Sequence, residues 1–317
     1  QPFDERGEAV GGPCEKQHPR IAAHQNQCGR CTDRSGGAGD DDNRVQAGHG
    51  PSVAAYRPAQ QGPIPPGMVS KRDYCGSVSP LISAHRGSCG VAGLPAAERY
   101  DRAIALGVDY VELDVRRTAD RMLVNYHDDF TPSRHPTSSL TYAELKAELG
   151  AELLTLAELL DLVAGRVGLH VDLKEPGDEG EIVRTLLAHR AGGQFVVTSG
   201  EVVSIRAVKD LFPEVQAGLT LGTDLRDMHA WATMTERLAE LFPGDRLKRS
   251  RADFVAAHQQ LARIRLLRYC KRKRLPVWVW TVDEDSEIAR FMADPRVTTL
   301  VTNRPDVALR LRAATTI

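Results

Sequence analysis

Glu112 and Asp114 stand two residues apart in the run Tyr110-Val111-Glu112-Leu113-Asp114-Val115. Alternate side chains of a β-strand share a face, so both carboxylates point one way while Val111, Leu113 and Val115 point the other. Leu169–Lys174 repeats the pattern, with His170, Asp172 and Lys174 opposite Val171 and Leu173. Carboxylates crowded on the inner faces of buried strands repel one another and lose hydration unless a cation neutralises them. Glu112, Asp114 and Asp172 therefore form a candidate site for one divalent cation, Mg²⁺ or Ca²⁺, which favour oxygen ligands. Two histidines complete the set, His85 in Ala84-His85-Arg86-Gly87 and His127 in Tyr126-His127-Asp128-Asp129. Each is expected at the C-terminal end of a strand, as an acid–base group. Arg86 and Lys174 beside a hard cation point to an anionic substrate, and a phosphate ester fits best.

The elements that must position these groups alternate along the chain. Strand-like runs are expected at 81–85, 110–115, 122–126, 168–173, 195–198, 216–221, 252–257, 276–280 and 300–302. Helical stretches are expected at 96–106, 153–164, 179–189, 201–212 and 305–312, with another ending near Arg268. About eight β/α units in this span predict a (β/α)₈ TIM barrel over residues 79–314, whose catalytic groups gather at the C-terminal rim of the strands. The competing doubly wound sheet lacks its Gly-x-Gly-x-x-Gly turn. Residues 1–70 are rich in Gly, Pro, Gln, His and Asp without apolar periodicity, and read as a disordered tail or linker dispensable for catalysis.

Six motifs in order resemble the glycerophosphodiester phosphodiesterase family, a group of phospholipase-C-like phosphodiesterase barrels. They are His85-Arg86-Gly87, Glu112-Leu113-Asp114-Val115, Thr118-Ala119-Asp120, His127-Asp128, Asp172-Leu173-Lys174 and a C-terminal pair. The pair is Trp280-Thr281-Val282-Asp283, where the family pattern has Trp-Thr-Val-Asn, and Thr302-Asn303-Arg304-Pro305, where it has Thr-Asp-Arg-Pro. The resemblance covers about residues 80–312. It implies metal-dependent hydrolysis of a glycerophosphodiester, or a lysophospholipid, to glycerol 3-phosphate and an alcohol. His85 and His127 would be the acid–base pair, Glu112, Asp114 and Asp172 the metal ligands, and Arg86 and Lys174 the phosphate contacts. Trp280 would wall the glycerol side of the pocket. Departures are Gly93-Leu94-Pro95-Ala96 near the usual Pro-Glu-Asn-Thr, Asp172 for glutamate, Arg121 for glycine and Asn303 for aspartate. A shorter arm at Asp172 also resembles the sphingomyelinase D-type lyases, which stop at a cyclic phosphate. The step from His85 to Glu112 and the closing Thr-x-Arg-Pro favour the hydrolases. A catalytically silent binding barrel is the third reading, disfavoured because both histidines and all three carboxylates are present.

The remaining features have plainer readings. The chain has 317 residues, 42% apolar and 26% charged, and a net charge of −1, which argues against bulk attraction to nucleic acid or anionic membrane. No run of 18 apolar residues occurs, so no transmembrane helix is expected. A cytoplasmic location is expected, with export left open because the chain begins at Gln1. Cys14, His18, His24, Cys28 and Cys31 have zinc-knuckle-like spacings but only one tight pair, and read as incidental residues of the tail. Cys75 and Cys89, held apart by a strand, are expected as free thiols. Lys271–Arg274 reads as a solvated helix end. Met228, Trp231, Met234, Leu238 and Leu241 read as a helical stripe packed on the barrel, or as an interfacial lid.

Overall fold

A computed structural model describes residues 79–163, 165–189, 195–222 and 242–315. The expected tail, the Cys/His cluster, Cys75 and the Met228–Leu241 stripe lie outside the described residues. In chain order the strands are β1 (Leu81–Ala84), β2 (Tyr110–Arg117), β3 (Leu123–Asn125), β4 (Leu154–Thr155) and β5 (Gly168–Leu173). β6 (Phe195–Ser199), β7 (Gln216–Leu221), β8 (Phe254–His258), β9 (Val277–Trp280) and β10 (Thr299–Thr302) follow.

Eight of these strands run parallel in the order β1-β10-β9-β8-β7-β6-β5-β2, and pairing of β1 with β2 closes the circle. The expected (β/α)₈ barrel is the fold. One expected strand has a different place. The 122–126 run does form β3, but β3 lies antiparallel on β2 and pairs with β4, outside the barrel. Five residues separate β2 from β3, enough for a hairpin and too few for the crossover that a parallel neighbour requires.

The alternation along β2 and β5 holds. Val111, Leu113, Val115, Val171 and Leu173 are buried in the layer between barrel and helices, with Leu159, Ile182 and Val183. Each fully buried aliphatic side chain of this kind contributes about 1.5–3 kcal/mol relative to exposure. The lower lumen is filled by Tyr110, Val196, Phe254, Ala256, Trp278 and Val301. Trp278 is the hub, its ring centroid 5.1 Å from Tyr110, 5.0 Å from Phe254 and 4.9 Å from His170. Gly218 of β7 makes room for this layer, because a Cβ there would lie 2.3 Å from the Phe254 ring. The floor is hydrophobic and full, which leaves polar chemistry to the rim.

Lys271–Arg274 is exposed, as expected, at the end of the helix Leu267–Lys273, with Arg274 left-handed at φ 55°. Cys89 is a buried free thiol. Among the described residues, no helix is long and apolar enough to cross a membrane.

Candidate active site

The register of β2 on β5 sets Asp114 directly beside Asp172, and Glu112 beside His170. Lys174 bridges the first pair, its Nζ 2.8 Å from Asp114 Oδ1 and 2.7 Å from Asp172 Oδ2. Arg86 Nε lies 3.3 Å from Asp114 Oδ2, and the Arg86 backbone N–H donates to Glu112 Oε2 at 2.6 Å. Burial works against the Asp114 carboxylate, yet Lys174, His127 and Arg86 together hold its pKa down to about 2. Burial likewise opposes the Lys174 charge, and Asp172, Asp114 and Glu112 outweigh it, keeping the ammonium above the usual lysine range. For Glu112 the compensation from Lys174 and the Arg86 N–H is outweighed. Burial, followed by repulsion from Asp114, pushes its carboxyl well above the ordinary glutamate range.

Asp172 is held from behind. The Thr198 hydroxyl donates to Asp172 Oδ1 at 2.6 Å, and Thr198 Oγ1 lies 3.0 Å from His170 Nε2. Burial lowers the His170 pKa to about 4, so this ring is neutral at pH 7. Because the Thr198 proton goes to Asp172, its oxygen must accept from His170 Nε2–H.

His85 sits in a tight turn after β1. Arg86 is left-handed there at φ 49° and ψ 38°. Gly87 follows at φ 65°, and a Cβ at that position would lie 2.5 Å from the Tyr100 ring. Only glycine lets Tyr100 press against this turn, and the Tyr100 hydroxyl in turn donates to the Glu112 carbonyl at 2.9 Å. His85 Nδ1 lies 2.9 Å from Asn303 Oδ1. Burial first, then Arg86, brings the His85 pKa down to about 4.

His127 reaches the rim differently from the expected route. It follows β3 and is not at the end of a barrel strand; the β2–β3 hairpin carries it back, and the Tyr126 N–H bonds to the Asp114 carbonyl at 3.0 Å. Its Nδ1 lies 2.6 Å from Asp128 Oδ1. Burial, followed by Lys174, lowers its pKa. Both catalytic candidates therefore feel the same three charges, Asp114, Arg86 and Lys174.

Arg116 fixes the His127 loop and was not among the expected site residues. Buried at 6% exposure, its guanidinium donates to the His127 carbonyl at 3.0 and 2.9 Å, and meets Glu175 and Asp129, each at 2.5 Å. The signal was present in the sequence, since Arg116 is two residues beyond Asp114 on the same face of β2. Arg116→Met keeps the apolar stem but loses the fork, and is expected to lower turnover about tenfold, as loss of an orienting partner does. A steady-state kcat measured beside a thermal melt checks this; an unchanged kcat would show that the loop holds His127 without Arg116.

Trp280 ends β9 half-buried, its ring centroid 5.3 Å from His258 at 77°, and its indole nitrogen has no hydrogen-bond partner among the described residues. The structure thus brings His85, Arg86, Glu112, Asp114, His127, Asp172 and Lys174 to one end of the barrel, with Trp280 on the same rim. It does not preassemble a metal cage: among the described residues, no three His, Cys, Asp or Glu side chains are gathered ready to share an ion. Lys174 occupies the oxygens of Asp114 and Asp172 instead.

A parallel barrel with two imidazoles, cations and carboxylates at its C-terminal rim fits the class of barrel hydrolases that act on phosphate esters. Residues 85–307 match the profile of the Glycerophosphoryl diester phosphodiesterase family, and the chain belongs to that family, as a phosphoric diester hydrolase. A glycerophosphodiester phosphodiesterase of Caldanaerobacter subterraneus is 24% identical over 253 residues, 73% of this chain and 97% of the relative. YhdW of Bacillus subtilis is 26% identical over 250 residues, 72% of this chain and 96% of its own length. The crystal structure of a glycerophosphodiester phosphodiesterase from Parabacteroides distasonis shares the fold at a TM-score of 0.62 and 22% identity, covering 76% of this chain and all (100%) of that one.

Proposed function

We propose that this enzyme hydrolyses glycerophosphodiesters to glycerol 3-phosphate and an alcohol by histidine acid–base catalysis assisted by a divalent cation. The observation that carries this reading is the gathering of His85, His127, Arg86 and Lys174 around the Asp114–Asp172 pair. One imidazole takes a proton from the attacking hydroxyl, and the other gives one to the departing alcohol. Each ring has its Nδ1 engaged, by Asn303 in His85 and by Asp128 in His127, which leaves each Nε2 to do the transfer. Arg86 meets the phosphoryl oxygens, and Trp280 bounds the glycerol side.

Glu112, Asp114 and Asp172 would hold the ion, and their donor chemistry fits Mg²⁺ or Ca²⁺. Glu112 supplies the test of fit: it is a buried carboxyl beside a second carboxylate, and burial and Asp114 outweigh what Lys174 and the Arg86 N–H offset. When bound, the ion would act as a Lewis acid on the phosphate. Lys174, whose charge sits on Asp114 and Asp172, would then be the contact for the phosphate. Further support for the product comes from a neighbour, a phosphodiesterase of Oleispira antarctica that shares the fold at a TM-score of 0.56 and 19% identity. It covers 75% of this chain and 98% of its own, and was solved with its product sn-glycerol-3-phosphate.

³¹P NMR of a glycerophosphocholine digest, with and without added Mg²⁺ or Ca²⁺, tests the reading. The expected end point is linear glycerol 3-phosphate, formed faster with the ion. A cyclic phosphate as the sole stable product would overturn hydrolysis in favour of a lyase, and equal rates in chelator would remove the ion.

A further inference from the structure

Behind the Asn303 contact of His85 lie further polar groups, Asp283 and Ser88, that the acid–base scheme does not itself use. Asn303 follows β10, the strand that pairs with His85's own β1, and Asp283 follows the neighbouring β9. The Asn303 side-chain nitrogen donates to Asp283 Oδ2 at 2.8 Å, and its backbone N–H donates to Asp283 Oδ1 at 2.8 Å. The Ser88 hydroxyl donates to the Asn303 carbonyl at 2.7 Å, tying this end of β10 to the loop after His85.

The donor inventory fixes how these groups face one another. An ionised carboxylate only accepts, so Asn303 must turn its NH₂ to Asp283. Turned over, its amide oxygen would face the carboxylate oxygens with no proton between them. The amide oxygen is thereby aimed at His85, and an amide oxygen also only accepts. Nδ1 of His85 must carry the ring proton, which leaves Nε2 bare in the neutral imidazole. We propose that Asp283, acting through Asn303, is a positioning residue that locks His85 in the Nδ1–H tautomer with an unprotonated Nε2. This inference rests on the reading of His85 as a proton-transfer group.

The arrangement differs in kind from that at His127, whose Nδ1 meets the Asp128 carboxylate directly. At His85 the carboxylate stands one residue back, so the tautomer is set without an anion against the ring. The family pattern quoted above has asparagine where Asp283 stands and aspartate where Asn303 stands. This chain holds the same two residue types exchanged.

Long-range ¹⁵N NMR of the histidine rings in the full chain near neutral pH, with H85Q assigning the resonance, reads the tautomer directly. The parent protein is expected to show a protonated Nδ1 and a bare Nε2. D283N replaces an acceptor-only group with an amide that tolerates either orientation of Asn303. It is expected to mix the tautomers and lower kcat about 10- to 100-fold, the usual effect of losing an outer partner of a functional histidine, with KM little changed. The exchanged double variant D283N/N303D again presents His85 with an acceptor and is expected to recover the tautomer and most of kcat. A parent spectrum with Nε2 protonated, or D283N with an unmixed tautomer and unchanged kcat, would overturn the proposal. Should D283N lose its cooperative melt, the parent spectrum and the double variant decide. A fixed tautomer in an enzyme that stays active as H85A would sink the catalytic reading of His85 and leave the positioning intact.

Discussion

Replacing either His85 or His127 with alanine is expected to lower kcat about 10²- to 10⁴-fold while leaving the thermal melt in place. The range is what a positioned proton-transfer group ordinarily contributes. Stability should hold because neither ring belongs to the packed core; His85 sits in the turn after β1 and His127 in the loop after β3. His85 meets Asn303 and His127 meets Asp128 at the rim, so neither substitution opens a cavity between barrel and helices. The two effects should also be far from additive, since a proton taken at one side of the phosphorus is useful only if one is given at the other. Turnover within a few-fold of the parent for either variant would remove that histidine from the mechanism.

Glu112→Gln is expected to move activity and stability in opposite directions. Glu112 is 4% exposed and lies beside Asp114. Its folded pKa is raised above the ordinary 4.5, so its stabilising protonated form is fully present below that value. That contribution is lost as pH rises through the raised folded pKa. The amide cannot ionise and escapes this loss. In chelator, E112Q should therefore melt above the parent at neutral and alkaline pH by about 1–3 kcal/mol, and the difference should vanish near pH 4. Activity with added ion should fall about 10²-fold, as when one electrostatic stabiliser of a reacting centre is removed. A lower melting temperature for E112Q in chelator at pH 8 would show that the carboxylate is already compensated.

The parts of the site legible in the sequence were those written in strand alternation. Glu112, Asp114 and Asp172 share the inner face because a period of two leaves no other arrangement once Val111, Leu113 and Val115 take the outer one. The same rule marks Arg116, which lies one residue beyond the expected strand 110–115, while β2 runs on to Arg117. Periodicity carries no direction, so the 122–126 run was recognised as a strand and its antiparallel pairing outside the barrel was not. The spacing between elements held that information, since five residues cannot form a crossover. Asp283 and Asn303 lie 20 residues apart on neighbouring strand ends, and their bond depends on register that no local pattern encodes. Lys174 was placed on the correct face, but its bridging of Asp114 and Asp172 depends on which strand neighbours β2, a matter of topology.

The aromatic floor around Trp278 has a consequence for traffic. A barrel stoppered from below by Tyr110, Phe254 and Trp278 closes that end to anything approaching its reacting groups. Whatever enters along the barrel axis must therefore pass the rim where His85, His127, Arg86 and Lys174 stand.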